Sequence, residues 1–165
     1  MLIDSHAHID EEKYDEDREE VLANAKNAGV NLIINPASDE ASSRRAVALS
    51  EKYAMVYATV GFHPHDAKSY DFQQHRRMLK DWAKKDKVVA IGEIGLDYFK
   101  SEASPEVQKK RFIQMISLAL KYNLPAIVHS RSAFDDTLES VSATESTSWV
   151  VSWISFDCFS AASSS

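Results

Sequence analysis

The sequence has very little cysteine and no long run of apolar residues. Cys158 is the single cysteine among 165 residues, which excludes an internal disulfide framework and indicates a reducing compartment. No apolar run approaches the roughly 20 residues that a membrane-spanning helix needs. Residues 1–6 contain neither the basic segment nor the apolar segment of a signal peptide. We therefore expect a cytoplasmic protein that does not associate with membranes.

The sequence also lacks an excess of positive charge. It contains 19 Lys and Arg against 25 Asp and Glu, which gives a net charge of -6. Proteins that hold nucleic acid by neutralising phosphates usually present a basic surface, so a passive DNA-binding module is disfavoured. The charge does not argue against an enzyme that contacts a phosphodiester briefly, because metal ions can supply the positive charge there.

Several common catalytic motifs are missing as well. The chain has no GxGxxG after a predicted strand, no Walker loop, no GxSxG elbow and no CxxC pair. Nothing in the sequence around Cys158 indicates a reactive thiolate, so its best interpretation is a buried apolar thiol.

Short apolar runs alternate with longer amphipathic stretches along most of the chain. Five runs have strand character, at residues 2–8, 30–35, 55–60, 88–91 and 125–128. The stretches between them have helical spacing, and Asp15, Asp39 and Ser104 are predicted to begin three of the helices. Strands that alternate with helices of more than ten residues predict parallel βαβ units, and therefore an α/β fold.

The composition of the chain changes near Glu139. All 19 Lys and Arg lie at or before Arg131, and residues 140–165 are rich in serine without any Gly, Pro, Lys or Arg. One interpretation is a sixth strand within the apolar residues 149–159, followed by a disordered tail. The interpretation we favour is that the tail does not belong to the scaffold, as after a frameshift, alternative splicing or truncation. We therefore divide the chain into residues 1–139 and a divergent tail, residues 140–165.

The first predicted strand carries two histidines. Side chains alternate along a strand, so Asp4, His6 and His8 would share one face. Strands of a parallel sheet are buried on both faces, and three polar residues there would be costly unless a metal ion satisfied them. Taken alone, an HxH pair is more often a solvated pair at a strand end.

Other polar residues follow the third, fourth and fifth predicted strands. They are His63 and His65 on either side of Pro64, then Glu93, then His129. Each has an ordinary interpretation when taken alone: a turn around the proline, a surface glutamate and a satisfied core histidine. However, the carboxyl ends of parallel strands meet at one edge, where α/β proteins build their sites. Imidazole and carboxylate groups that converge there favour Zn, Mn or Mg in a hydrolytic site.

Four sequence segments carry a resemblance to a known family. They are residues 3–8 (IDSHAH), 60–65 (VGFHPH), 91–98 (IGEIGLDY) and 129–131 (HSR). In this order they closely resemble the TatD-type metal-dependent hydrolases of the amidohydrolase-like superfamily, over roughly residues 1–139. The resemblance implies a TIM-type (β/α)8 barrel, of which this chain would supply five to six βα units. It also implies two-metal hydrolysis of phosphodiester bonds in DNA, with DNA or another phosphodiester bound transiently.

The resemblance implies a role for each matching residue. His6 and His8 would bind one divalent ion, His129 would bind the second, and the catalytic Glu93 would bridge both. Zn, Mg and Mn all remain candidates for the two ions. Three further residues would bind the substrate phosphate, namely His63, His65 and Arg131.

The sequence departs from the family pattern in its tail. The family has a further His, usually followed by Cys-Phe-Ser-Gly, and a late Asp before Ala-Pro; here Asp157 precedes Cys158, and the late Asp is missing. The alternative function is therefore a non-catalytic or unstable fragment that lacks the distal metal ligands. A partial barrel would also leave its first strand unpaired on one side, so we expect self-association or aggregation.

Overall fold

The computed structural model describes residues 2–144 and the backbone of residues 151–155. The strands are β1 Leu2–Asp4, β2 Val30–Asn35, β3 Val56–Val60, β4 Val88–Asp97, β5 Ala126–Arg131 and β6 Val151–Ser155. The helices are α1 Arg18–Asn27, α2 Glu40–Lys52, α3 Phe72–Trp82, α4 Pro105–Tyr122 and α5 Phe134–Ser142. Two short 3-10 helices, Glu12–Tyr14 and Pro64–Asp66, follow β1 and β3.

The six strands form one parallel sheet in the order in which they occur along the chain. A helix lies between consecutive strands, as in a (β/α)8 barrel. The predicted α/β fold, a partial TIM-type barrel of five to six units, is therefore confirmed. The sixth strand expected within residues 149–159 is present as β6, which pairs with β5. The rest of the predicted tail lies outside the described residues.

Two of the predicted helix starts are confirmed as N-caps, in which a side chain accepts a backbone hydrogen bond from the first turn. The Asp39 carboxylate accepts from the backbone N–H of Ser42 at 2.6 Å, and the Ser42 hydroxyl accepts from the backbone N–H of Asp39 at 2.9 Å. This capping box starts α2. Ser104 caps α4, whose first residue is proline. Asn123 ends the same helix in the left-handed conformation, which asparagine tolerates well. These contacts fix where each helix leaves the sheet.

Two predicted helix boundaries differ from the structure. Helix α1 begins at Arg18 rather than near Asp15, because the Asp15 carboxylate accepts from the Arg18 guanidinium at 2.6 Å instead of capping the helix. The predicted five to six βα units imply a helix after β5, but its residues were not predicted; α5 runs across Glu139, where the composition changes. The division at residue 139 stays a prediction about the origin of the tail.

Two predicted strands also have different lengths. Strand β1 ends at Asp4, because the Asp4 carboxylate accepts from the His6 backbone N–H at 3.1 Å and turns the chain. Strand β4 continues past Ile91 to Asp97, because β5 offers backbone partners again after an irregularity between Ile91 and Ile94. As a result, the candidate histidines near the N-terminus lie in a loop, whereas Glu93 lies inside a strand.

The apolar core lies between the sheet and the helices packed on it. The larger cluster is centred on fully buried side chains such as Leu79, Ile91, Phe112 and Ile116. A smaller cluster packs α1 against β2 and β3 through Leu22, Ile33 and Val56. Within the described residues, no helix combines the length and the apolar character that a membrane crossing requires.

Candidate metal centre

The structure brings five of the predicted site residues together at the carboxyl end of the sheet. They form two groups of potential metal ligands, one of His6, His8 and Glu93, the other of His63, Glu93 and His129. Within each group, one ligand atom from every residue lies within 4.8 Å of the others. Glu93 belongs to both groups.

Glycines allow Glu93 to reach this position. A Cβ on Gly92 would lie 2.7 Å from the Ile127 Cβ, and a Cβ on Gly95 would lie 2.0 Å from the His129 carbonyl oxygen. Gly95 also has a φ of +139°, which L side chains rarely adopt. The Glu93 backbone N–H donates to the Ala37 carbonyl at 2.6 Å. These close approaches hold β4 against β5 and place the Glu93 carboxylate between the two sets of histidines.

The loop that carries His6 and His8 is held by hydrogen bonds rather than by strand pairing. The Ala7 N–H donates to the Ile34 carbonyl at 3.1 Å. Two residues after His8, the Asp10 N–H donates to Asn35 Oδ1 at 3.0 Å, and Arg45 donates to the Asp10 carboxylate. The prediction that His6 and His8 lie on a buried strand face is therefore wrong, because the His6 side chain keeps 33% of its surface exposed. Its Nε2 nevertheless lies 3.7 Å from Glu93 Oε2.

His63 is buried, and its ring is packed against the His129 ring with centroids 4.4 Å apart. Burial, reinforced by the neighbouring His129, lowers the pKa of His63 to about 4, so the ring is neutral at physiological pH. Its Nδ1 accepts from the His65 backbone N–H at 3.2 Å, which leaves the ring proton on Nε2. In this state His63 is a hydrogen-bond donor, whereas Nε2 would bind a metal ion only in the other tautomer.

His129 lies between two carboxylates. Its Nδ1 is 3.4 Å from Glu93 Oε1, and its Nε2 is 3.1 Å from Asp97 Oδ2. Burial disfavours the charged ring, but the two carboxylates outweigh it and raise the pKa of His129. Burial likewise opposes ionisation of Glu93, but the hydrogen bond from His129 and the electrostatic influence of the His63 and His6 rings lower the pKa of Glu93. The electrostatics of the site therefore favour an ionised glutamate among imidazoles.

Asp97 is a residue that the sequence analysis did not select. It is fully buried on β4, and Oδ2 accepts from both His65 Nε2 and His129 Nε2. Burial opposes its ionisation, but hydrogen bonds from the Lys100 backbone and from the two histidines lower the pKa of Asp97 to about 2. The available signal was its position four residues after Glu93 in an otherwise apolar segment.

The remaining predicted residues lie at the margin of the cluster. The His65 ring is partly exposed and is tied to Asp97 at 2.9 Å. Arg131 ends β5, and its guanidinium lies over the Phe99 ring, 4.2 Å from the centroid, rather than in either ligand group. Asp157 lies outside the described residues. The predicted phosphate-binding roles of His63, His65 and Arg131 stay predictions.

The donor atoms fit a divalent cation. Neutral imidazoles and an ionised carboxylate are common ligands of Zn²⁺ and Mn²⁺, and Glu93 can offer one oxygen to each group. The two Glu93 oxygens already point to different histidines, with Oε2 toward His6 and Oε1 toward His129. The geometry therefore suits a pair of ions that share one carboxylate.

The chain is similar in sequence to known proteins. The sequence profile described as TatD related DNase matches residues 3–163. A Bacillus subtilis relative named "Uncharacterized metal-dependent hydrolase YabD" is 40% identical over 138 residues, which cover 84% of this chain and 54% of the relative. A Cronobacter turicensis relative named "3'-5' ssDNA/RNA exonuclease TatD" is 35% identical over 132 residues, which cover 80% of this chain and 50% of the relative.

A solved structure is similar over the same region. The Escherichia coli TatD homologue YjjV superposes with a TM-score of 0.80 at 35% identity, over 86% of this chain and 55% of that protein. The chain thus spans about half the length of the curated relatives it matches.

Proposed function

Because the chain belongs to the TatD-related DNase family, we propose that it carries the metal-binding part of a hydrolase that cleaves phosphodiester bonds of DNA. The observation that carries the proposal is the position of Glu93, which belongs to two ligand groups at once. In two-metal hydrolases the ions lie about 3.5–4 Å apart, so a carboxylate with one oxygen for each ion is the natural bridge.

Each side chain would have a distinct role. His6 and His8 would hold one ion with Glu93, and His129 would hold the second ion with the same glutamate. When bound, the two ions would supply the positive charge that stabilises the transition state and would lower the pKa of the attacking water. Glu93 would be catalytic in the sense that it would hold both ions beside the scissile phosphate.

The substrate phosphate would be held by residues next to the ions. The Nε2–H of His63 is a neutral donor within the cluster, suited to a phosphate oxygen. The partly exposed His65 follows β3 and Arg131 ends β5, on either side of β4, where an incoming phosphodiester would approach. Because the net charge is -6, contact with nucleic acid would be local to the site and transient.

The ligand chemistry favours Zn²⁺ or Mn²⁺ over Mg²⁺. Mg²⁺ prefers oxygen ligands and keeps several waters, whereas most donor residues of the two groups are histidines. Mg²⁺ remains the third candidate, to be compared directly with the other two.

A second candidate function is a non-catalytic fragment that binds at most one ion. The observation that favours it is the small number of protein ligands, because each group contains three residues among those described. Asp157 also stands where the family pattern has a further histidine. For such a fragment we expect weak binding of one divalent ion and little cleavage even with added Mg²⁺ or Mn²⁺.

One experiment separates the two functions. The purified chain is titrated with Zn²⁺ and with Mn²⁺ by calorimetry, and single-stranded DNA is incubated with the loaded chain. Glu93→Gln removes the shared carboxylate charge, so we expect it to abolish binding at both groups. Glu102→Gln makes the same change at an exposed position and is the control.

The outcomes are distinct. Two Glu93-dependent ions with Glu93-dependent cleavage support the hydrolase, whereas one weak ion without cleavage supports the fragment. Metal binding that survives Glu93→Gln would contradict both.

We also propose that the chain associates with itself and that it is cytoplasmic. Within the described residues, β1 pairs with β2 alone, and its Leu2 and Ile3 side chains are exposed. An apolar edge strand is a template for pairing with another chain. The cytoplasmic location rests on the single cysteine.

A further inference from the structure

We propose that Asp97 is a positioning residue of this site, which fixes the tautomer and the orientation of His129 so that Nδ1 faces Glu93 as a metal ligand. The inference rests on the proposed metal-dependent function. It concerns a residue outside both ligand groups, which would act through His129 rather than by contact with the ions.

The Asp97 carboxylate is itself held rigidly. Its Oδ1 accepts from the backbone N–H groups of Phe99 at 2.9 Å and Lys100 at 2.7 Å. The Asp97 backbone exchanges two hydrogen bonds with the buried Gln108 side chain, N–H to Oε1 at 2.8 Å and carbonyl from Nε2 at 3.1 Å. Gln108 in turn donates to the Ala103 carbonyl. The carboxylate therefore has one direction in which its second oxygen can point.

That second oxygen determines where the histidine protons are. Oδ2 lies 2.9 Å from His65 Nε2 and 3.1 Å from His129 Nε2. An ionised carboxylate only accepts hydrogen bonds, so both Nε2 atoms must carry a proton and donate. Asp97 lies on β4, and its Oδ2 atom alone thus orients both the His65 ring, which follows β3, and the His129 ring on β5.

The consequence appears at the opposite nitrogen of His129. A neutral ring with its proton on Nε2 has a lone pair on Nδ1, and this atom lies 3.4 Å from Glu93 Oε1. In the charged ring Nδ1 carries a proton and can donate to this oxygen, whereas in the neutral ring a bound cation would take the place of that proton. A carboxylate that holds the far N–H of a ligating histidine is a common second partner in metal sites, and its loss typically costs about 10–100-fold in affinity.

The test is Asp97→Asn. The asparagine can keep Oδ1 on the Phe99 and Lys100 N–H groups, so the turn is preserved, while its amide N–H₂ replaces the Oδ2 acceptor. The amide would donate to His129 Nε2 and force the proton onto Nδ1, toward Glu93. Tyr98→Phe is the matched control, because it removes a neighbouring hydrogen bond to Asp136 and leaves the Asp97 carboxylate untouched.

The first readout is the tautomer of His129, measured by ¹⁵N NMR of the histidine rings in the metal-free chain at alkaline pH, where imidazoles are neutral. We expect the proton on Nε2 in the wild-type chain and in Tyr98→Phe, and on Nδ1 in Asp97→Asn. A wild-type ring with its proton on Nδ1 overturns the proposal even if the variant fails to fold. A folded Asp97→Asn with the proton still on Nε2 overturns it as well.

The second readout is the affinity for Zn²⁺ alone, by calorimetry. We expect Asp97→Asn to weaken the ion that depends on His129 by about 10–100-fold and Tyr98→Phe to leave it unchanged. Unchanged affinity in a folded Asp97→Asn overturns the role of Asp97 at the metal site. If the tautomer switches as expected but the wild-type chain binds no Zn²⁺, the tautomer assignment is supported and the proposed metal function fails.

Discussion

Gly95→Ala is the substitution for which the structure predicts the largest effect. The new Cβ would lie 2.0 Å from the His129 carbonyl oxygen, a backbone atom that cannot rotate away. The residue also has a φ of +139°, where any L side chain is strained. Gly95 is the register partner of His129 in the β4–β5 pair, so relief of the clash must move the two strands apart.

The magnitude follows from two separate costs. Overpacking a buried position typically costs about 1–3 kcal/mol, and a residue held in a sparsely populated backbone region costs about 1–3 kcal/mol more. The expected loss is therefore ~2–6 kcal/mol, which is a large part of the roughly 5–15 kcal/mol by which domains are stable. Separation of the strands would also carry the His129 ring away from Glu93, so Zn²⁺ binding should be lost.

Gly29→Ala separates the two costs. Gly29 has a φ of +91°, but its added Cβ would meet only the Leu2 Cδ1 atom at 3.9 Å, which is an ordinary contact. Urea unfolding of both variants, in the presence of a chelator, should show that Gly29→Ala loses only the about 1–3 kcal/mol of backbone strain and that Gly95→Ala loses more stability. Equal losses would mean that the clash with β5 is relieved without cost, and the reasoning about the β4–β5 approach would be refuted.

Three further predictions concern acid–base balance, the loop before α1 and the sheet edge. In the metal-free chain, stability should fall as pH drops from 6.5 to about 4, by roughly 3 kcal/mol, because the unfolded state binds a proton that the buried His63 does not. Stability should also fall as pH rises from 6.5 through the raised pKa of His129, because the folded chain then loses a proton that the unfolded chain no longer holds. Stability that does not change with pH in the presence of a chelator would contradict both statements. Arg45→Ala should cost about 1–3 kcal/mol in thermal unfolding because the buried Asp10 carboxylate keeps its hydrogen bond from Asn35 but loses its cationic partner. The exposed Arg44→Ala should cost about 0–1 kcal/mol. Leu2→Lys should reduce self-association in sedimentation velocity, and a wild-type chain that is already monomeric at micromolar concentration would refute the edge-strand argument.

The scaffold and the convergence of the candidate ligands were largely predictable from the sequence. Alternating apolar runs and amphipathic stretches predict parallel βαβ units, because strands and helices bury their faces with different periods. The carboxyl ends of parallel strands must then meet at one edge. For this reason His63, Glu93 and His129 were predicted to converge although they are far apart in the chain, and the structure places them in one group.

Other features depended on contacts that no local pattern contains. The fourth strand was predicted to end at residue 91, but the backbone of β5 extends β4 to Asp97. His6 and His8 were assigned to a strand, but the Asp4 side chain ends that strand. In both cases a hydrogen-bond partner decided the boundary, in one case from a neighbouring strand and in the other from a side chain two residues away.

Asp97 is the clearest case of a residue whose importance only the tertiary structure decided. In the sequence it is one of 25 acidic residues, and an aspartate after an apolar run usually caps or turns the chain. It does accept the turn hydrogen bonds from Phe99 and Lys100. Its second oxygen meets His65 and His129 because β4 lies between β3 and β5 in the sheet. The sequence alone therefore determines which chemical groups reach the edge, whereas the packing of neighbouring strands decides which atoms of those groups face one another.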